Sequence, residues 1–175
     1  MTEKQEKILN AALALFAEEG YNTTSTNKVA KKAGVSEGLI FRHFKNKEGL
    51  LAAIMKEGEE RAKVLQSDVL LESDPKEVVR KTLHLGDKMM DTEESNAFWK
   101  LQFKLKWELE YYGAEKMEPL ELILANALEK LGYSNPRMEA RMLLLTLEGL
   151  AMRYYLQDGF ELAPHIDFLV NKYDV

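Results

Sequence analysis

Apolar residues recur every three or four positions through most of the chain, and no segment alternates apolar with polar residues. A half-buried strand needs a period of two, whereas an amphipathic helix needs one near 3.6, so the chain is read as all-α. Capping chemistry sets the boundaries. Ile8, Ala11, Ala12, Leu15 and Phe16 form a first stripe that stops at Gly20, giving a helix over 3–19. The hydroxyls of residues 23–26 open a short second helix, and Gly34 ends it. Ser36 caps a third over 37–44, and Asn46 caps a fourth that continues to 71. Ser73-Asp74-Pro75 starts a fifth over 75–91. A sixth spans 93–112 and closes at Gly113; a seventh spans 115–131, or starts at 118 because of Pro119. An eighth covers 136–157 and a ninth 163–173. The expectation is nine helices and no sheet.

Several chemistries drop out at once. The chain has no cysteine, which excludes disulfides, thiolate metal sites and a Cys nucleophile. Its three histidines, His43, His84 and His165, are never paired at helical spacing, so no metal site and no cofactor are expected. There is no Gly-rich phosphate loop, no GxSxG elbow and no HExxH. An enzyme is not expected. The longest run without a charge, 8–17, has ten positions, about half a membrane span. The acidic start carries no small-residue cleavage site, so a cytoplasmic protein without a membrane partner is expected.

Charge is unevenly spread. The whole chain carries −5, yet residues 21–50 hold Lys28, Lys31, Lys32, Arg42, Lys45 and Lys47 against Glu37 and Glu48, a net +4. Residues 51–175 carry −7. A small basic patch on an acidic body suits local contact with a polyanion; a solvated basic helix face gives the same count. The patch coincides with a helix-turn-helix spacing over 26–45. Ala30 lets two helices approach, Gly34 suits the left-handed turn four residues later, and Ile40 points inward with Val29, Ala33 and Val35.

Residues 8–51 resemble the DNA-binding domain of TetR-type transcriptional regulators. The matching positions are Ile8-Leu9-Asn10-Ala11-Ala12, Leu15-Phe16, Gly20-Tyr21, Thr24-Ser25, Val29-Ala30, Ala33-Gly34-Val35-Ser36, Gly38, Phe41-Arg42-His43-Phe44 and Lys47-Glu48-Gly49-Leu50. The resemblance implies a nine-helix TetR-like architecture, with a helix-turn-helix domain over 1–47 and an effector-binding and dimerisation domain over 48–175. It implies phosphate contacts from Ser25 and Thr26 at a helix start, and base reading by Ser36, Glu37, Gly38 and Leu39 in the first turn of the recognition helix. Arg42, His43 and Lys47 follow as further phosphate contacts, though His43 packed beneath its helix is an equal alternative. Where the family usually has Tyr, this chain has Phe41, which packs but cannot hydrogen-bond a phosphate. Where it often has a small residue stands Leu39, which either touches a thymine methyl or belongs to the core.

The same resemblance implies a homodimer through the eighth and ninth helices on a palindromic double-stranded DNA operator. Along the eighth, Met142, Leu145, Gly149 and Met152 make one stripe and Leu143, Leu147, Leu150 and Tyr154 another, so burial from two sides is expected. On the sixth helix Phe98, Leu101, Leu105, Leu109 and Tyr112 complete a core stripe. Trp99, Phe103, Trp107 and Tyr111 form a second, which with Met89, Met90 and Met152 suggests an adaptable pocket for an apolar effector. Met89, Trp99, Phe103, Trp107 and Met152 are its candidate contacts. Glu108 and Glu148 border these stripes, either as partners for a cationic or hydroxylated effector or as solvated and salt-bridged acids. The functional expectation is a ligand-responsive dimeric repressor. The alternative is a helical small-molecule or partner-binding protein that has lost operator binding.

Overall fold

The computed structural model describes residues 1–110 and 116–175. Among the described residues there are ten helices and no strand: α1 (Glu3–Glu19), α2 (Thr26–Ala33), α3 (Glu37–Phe44), α4 (Lys47–Leu70), α5 (Pro75–Leu83), α6 (Leu85–Met89), α7 (Glu93–Glu108), α8 (Glu118–Lys130), α9 (Pro136–Leu156) and α10 (Ala163–Tyr173). The fold class is as expected, but the predicted fifth helix is two pieces. It breaks at His84, whose backbone leaves the helical region at φ −89° and ψ 6°. Gly86, a poor helix former, follows two residues later. His84 Nδ1 lies 2.7 Å from Asp87 Oδ2, within the short α6. The sixth predicted helix, here α7, also stops early. Leu109 sits at φ −107° and ψ 0° beyond its end, so this expected core residue is 50% exposed. Tyr111, Tyr112, Gly113 and the earlier start at 115 lie outside the described residues.

The chain divides into two compact units. One comprises Met1–Ala62 together with α7; the other comprises Lys63–Lys88 with α8, α9 and α10. In the first, α1 is the central element. Thr2 and Gln5 close a reciprocal capping box at its start, and Ile8, Ala12 and Phe16 are fully buried along it. Around it gather Val29 of α2, Ile40 of α3, Leu50 and Ile54 of α4, and Phe98, Leu101 and Leu105 of α7. A side-chain stripe from α7 therefore completes the core of the helix-turn-helix, which the local pattern of residues 8–51 does not reveal.

In the second unit α8 packs against both α5 and α9, and α10 packs on α5. The corner between α4 and α5 is held by ionic groups. Lys81 Nζ donates to Asp68 Oδ1 at 3.2 Å and to Glu72 Oε2 at 2.7 Å, and Lys88 Nζ reaches Asp68 Oδ2 at 2.6 Å. Glu72 Oε1 also accepts the N–H groups of Ser73 and Asp74 at 2.7 and 3.0 Å. The Lys81 hydrogen bond, then those two N–H groups, draw the Glu72 carboxyl down from 4.5 to about 2. A carboxyl depressed by folding stabilises the fold above its unfolded value, and that contribution fades as pH falls from 4.5 toward 2. Glu72→Gln is expected to lower stability at pH 7 and to shrink the gap between wild type and variant at pH 3, read from urea melts at both pH values. An equal gap at the two would rule the linkage out.

Candidate nucleic-acid interface

The turn between α2 and α3 is built from local chemistry. Ser25 Oγ accepts the N–H of Lys28 at 3.2 Å and caps α2. Gly34 takes the left-handed conformation at φ 67° and ψ 34°, open to glycine at no steric cost. The N–H of Val35 then reaches back to the Ala30 carbonyl at 3.0 Å, closing the end of α2. Ser36 begins α3 with an extended backbone and makes no side-chain cap bond, which leaves its hydroxyl exposed.

Five of the predicted DNA contacts stand at the surface: Ser25, Ser36, Gly38, Phe41 and Arg42. No atom lies within 4 Å of where a Gly38 side chain would begin, so nothing in the chain itself demands glycine there. Phe41 is 47% exposed, high for a ring on a helix of eight residues. Around this helix Lys31, Lys32 and Lys45 are also exposed, and none of them, nor Arg42, makes an ion pair among the described residues. Charge counting singles out these lysines without giving them a role.

The other five candidates are engaged within the fold. Thr26 Oγ1 donates to Glu37 Oε1 at 2.6 Å, and Asn27 Nδ2 to Glu37 Oε2 at 3.3 Å. Glu37 thus ties α3 to the start of α2, and the single hydroxyl hydrogen of Thr26 is spent on it. Leu39 is half-buried and packs against the core of the unit. His43 Nδ1 meets Gln5 Nε2 at 3.4 Å, so His43 is held by the side chain that completes the α1 capping box. Lys47, expected on a phosphate, is engaged internally. Its Nζ donates to the carbonyls of Tyr21 and Asn22 at 3.0 and 3.4 Å and lies 4.4 Å from the Tyr21 ring centre. Two of its three donors are used inside the molecule.

The junction between α3 and α4 is strained. Lys45 has φ 69° and ψ −50°, and the N–H of Asn46 bonds the Phe44 carbonyl at 2.9 Å across it. That is the rare γ-turn, costly for a residue with a side chain. Tyr21, on the α1–α2 turn, stacks edge-on to Phe16 at 5.2 Å. Burial first, then the charge and hydrogen bond of Glu48, push its phenol above the ordinary value. Glu108 accepts the Tyr21 and Asn22 N–H groups at 3.2 and 2.9 Å. Its carboxylate is thus engaged by main chain far away in sequence, a role that only long-range packing could reveal.

The effector candidates are scattered in environment. In the first unit Trp99 is half-buried, edge-on to Phe98 at 5.4 Å, and Phe103 lies half-buried beneath Lys106 Nζ at 5.1 Å. Met89 is half-buried at the end of α6. Trp107 is 79% exposed, where the second stripe has drifted around α7 toward water. Met152, in the second unit, is half-buried on α9. On that helix Leu143 is buried while Met138, Met142 and Leu145 are 50%, 52% and 55% exposed. No helix among the described residues is long and apolar enough to cross a membrane.

Residues 8–54 match the model of bacterial regulatory proteins of the tetR family. The chain is 34% identical over 91 residues to the HTH-type transcriptional regulator YvkB of Bacillus subtilis, a match spanning 52% of this chain and 46% of that protein. It is 44% identical over 54 residues to the fatty acid metabolism regulator protein of the same bacterium, covering 31% of this chain and 28% of the relative. The chain thus spans less than half the length of these curated relatives. A TetR-like transcriptional regulator from Rhodococcus sp. RHA1 superposes with a TM-score of 0.80 at 20% identity, over 97% of this chain and 93% of that one. That likeness is one of fold.

Proposed function

We propose, because the chain belongs to the TetR family of bacterial transcriptional regulators, that it acts as a dimeric repressor on a palindromic operator and releases or engages it in response to an apolar small molecule. Residues 1–47 form the DNA-binding part in this reading and residues 48–175 the effector-binding and dimerisation part. The observation that carries it is the exposed set on and around α3: Ser36, Gly38, Phe41 and Arg42, flanked by Lys31, Lys32 and Lys45 with no acid paired to them among the described residues. The Ser36 hydroxyl, the Gly38 backbone and the Phe41 ring then meet base edges, and the cations and the Ser25 end of α2 meet phosphates. Thr26 and Glu37 fix the two helices to each other instead. Two copies joined through α9 and α10 present two recognition helices to successive major grooves, about 34–36 Å apart.

A gel shift with the DNA upstream of its own gene, run at several salt concentrations, tests this directly. Arg42→Ala is expected to weaken binding to all sequences alike and to flatten the salt dependence by about two units of slope, because each half-site then neutralises one phosphate fewer. Substitutions at Ser36 or Gly38 are expected to change which sequence is preferred. Absence of any shift by the wild type favours the partner-binding alternative. For the effector, the half-buried Met89, Trp99 and Phe103 of the first unit are the candidate contacts. The name of one relative makes fatty acids the first ligands to try, with a rise in melting temperature as the readout.

A further inference from the structure

We propose that Glu108 is a positioning residue for DNA binding: from α7 it fixes the α1–α2 turn, so that the placement of α2 follows the placement of α7. The inference rests on the regulator reading above. Tyr21 and Asn22 carry the chain out of α1, and their N–H groups have no helical carbonyl to bond. One carboxylate takes both, with Glu108 Oε1 3.2 Å from the Tyr21 nitrogen and Oε2 2.9 Å from that of Asn22. The carbonyls of the same two residues accept from Lys47 Nζ, at the first position of α4. One turn before Glu108, Lys104 Nζ donates to the Glu18 carbonyl at 2.7 Å. Residues four apart share a helix face, so a single face of α7 holds both a carbonyl in the last turn of α1 and the N–H groups of Tyr21 and Asn22 beyond it.

The turn between these contacts is stiff. Thr24, 1% exposed, donates its hydroxyl to the Gly20 carbonyl at 2.8 Å, and Thr23 donates to the Glu19 carbonyl at 2.6 Å. Ser25, the cap of α2, follows directly. A displacement of Tyr21 and Asn22 is therefore delivered to the helix start that this reading places on a phosphate. Charge-assisted bonds from two N–H groups to one carboxylate are short and directional, and removing the acceptor leaves both donors unsatisfied. Trp99 and Phe103 lie on the same helix as Glu108. A ligand that binds better to one setting of α7 thereby acts on the DNA-binding surface through α7.

The test uses the full chain and the upstream DNA fragment, with amide hydrogen exchange measured on the free protein. Glu108→Ala is expected to speed exchange at Tyr21 and Asn22 about ten-fold or more while leaving the α3 amides unchanged. DNA affinity is expected to fall about ten-fold, with the salt slope unaltered because every phosphate keeps its cation. Glu108→Gln keeps an acceptor oxygen and should retain more affinity than the alanine variant. An acid that merely lay near DNA would, when removed, raise affinity. A merely stabilising one would lower the melting temperature and leave the affinity of the folded protein intact. Either result overturns the proposal, as does unchanged exchange at the two amides. If the wild type shifts no DNA, the regulator reading itself fails. If it does and Glu108→Ala binds within about two-fold of it, this inference alone fails.

Discussion

Replacing Gly49 with alanine is expected to destabilise the first unit by about 3 kcal/mol, the upper range for an overpacked site, and on the regulator reading to remove specific DNA binding. A Cβ at position 49 would stand 1.9 Å from the Phe44 carbonyl oxygen and 3.1 Å from its carbon. Both clashing partners are main chain, so no rotamer change relieves them. That carbonyl is also the acceptor of the γ-turn bond from Asn46 across the strained Lys45. Pushing it aside releases the turn and lets α3 rotate against α4. Gly38→Ala is the matched control. Nothing lies within 4 Å of its Cβ, and alanine in place of a helical glycine gains about 0.5–1 kcal/mol. It should therefore melt higher than wild type while binding DNA less well, if the α3 backbone approaches the bases closely. Thermal melting and gel shifts of the two variants separate a glycine kept for internal packing from one kept for a partner. A melting temperature for Gly49→Ala equal to that of the wild type would contradict the steric argument.

The second large effect concerns α9. Its outward positions Met142 and Leu145 are 52% and 55% exposed, on the same stripe as the exposed Gly149, and their own unit leaves them uncovered. On the dimer reading this is where a second copy sits. The double substitution Met142→Glu and Leu145→Glu is expected to give a folded monomer, because neither side chain contributes to the core of its own unit. Without the second, tethered half-site, operator binding should then weaken by about 10²- to 10⁴-fold. Analytical ultracentrifugation at micromolar concentration checks the first expectation and the gel shift the second. A wild type that sediments as a monomer would remove the basis for both.

The helices were legible in the sequence because their boundaries are local. Thr2, Ser25, Asp74 and Asn135 accept N–H groups within three residues of themselves, and Gly34 sits where a left-handed residue is needed. The break at His84 and the early end of α7 were less legible, since apolar periodicity runs straight across both. At the candidate site the division follows the same line. Exposure of Ser36, Gly38 and Arg42 follows from their place in a short amphipathic helix. The inward roles of Glu37, His43, Lys47 and Glu108 depend on partners 11, 38, 26 and 87 residues away. A charged side chain at a helix start reads identically whether it meets a phosphate or a carbonyl of its own chain. Only the three-dimensional neighbour decides.

The first unit is assembled from two stretches separated by residues 63–88, which belong elsewhere. For a chain emerging from the ribosome, this sets an order of events. The helix-turn-helix is complete in sequence by α4, but the surface of α1 that Phe98, Leu101 and Leu105 cover stays bare until α7 has been translated. At about 5–20 residues per second the delay lasts seconds, and closing the intervening loop adds its own entropic cost. A product truncated before α7 therefore carries all of α3 without the packing that holds it in place. On the regulator reading, such fragments should compete poorly for the operator and be cleared quickly by proteases, and occupancy of DNA would then report on finished molecules.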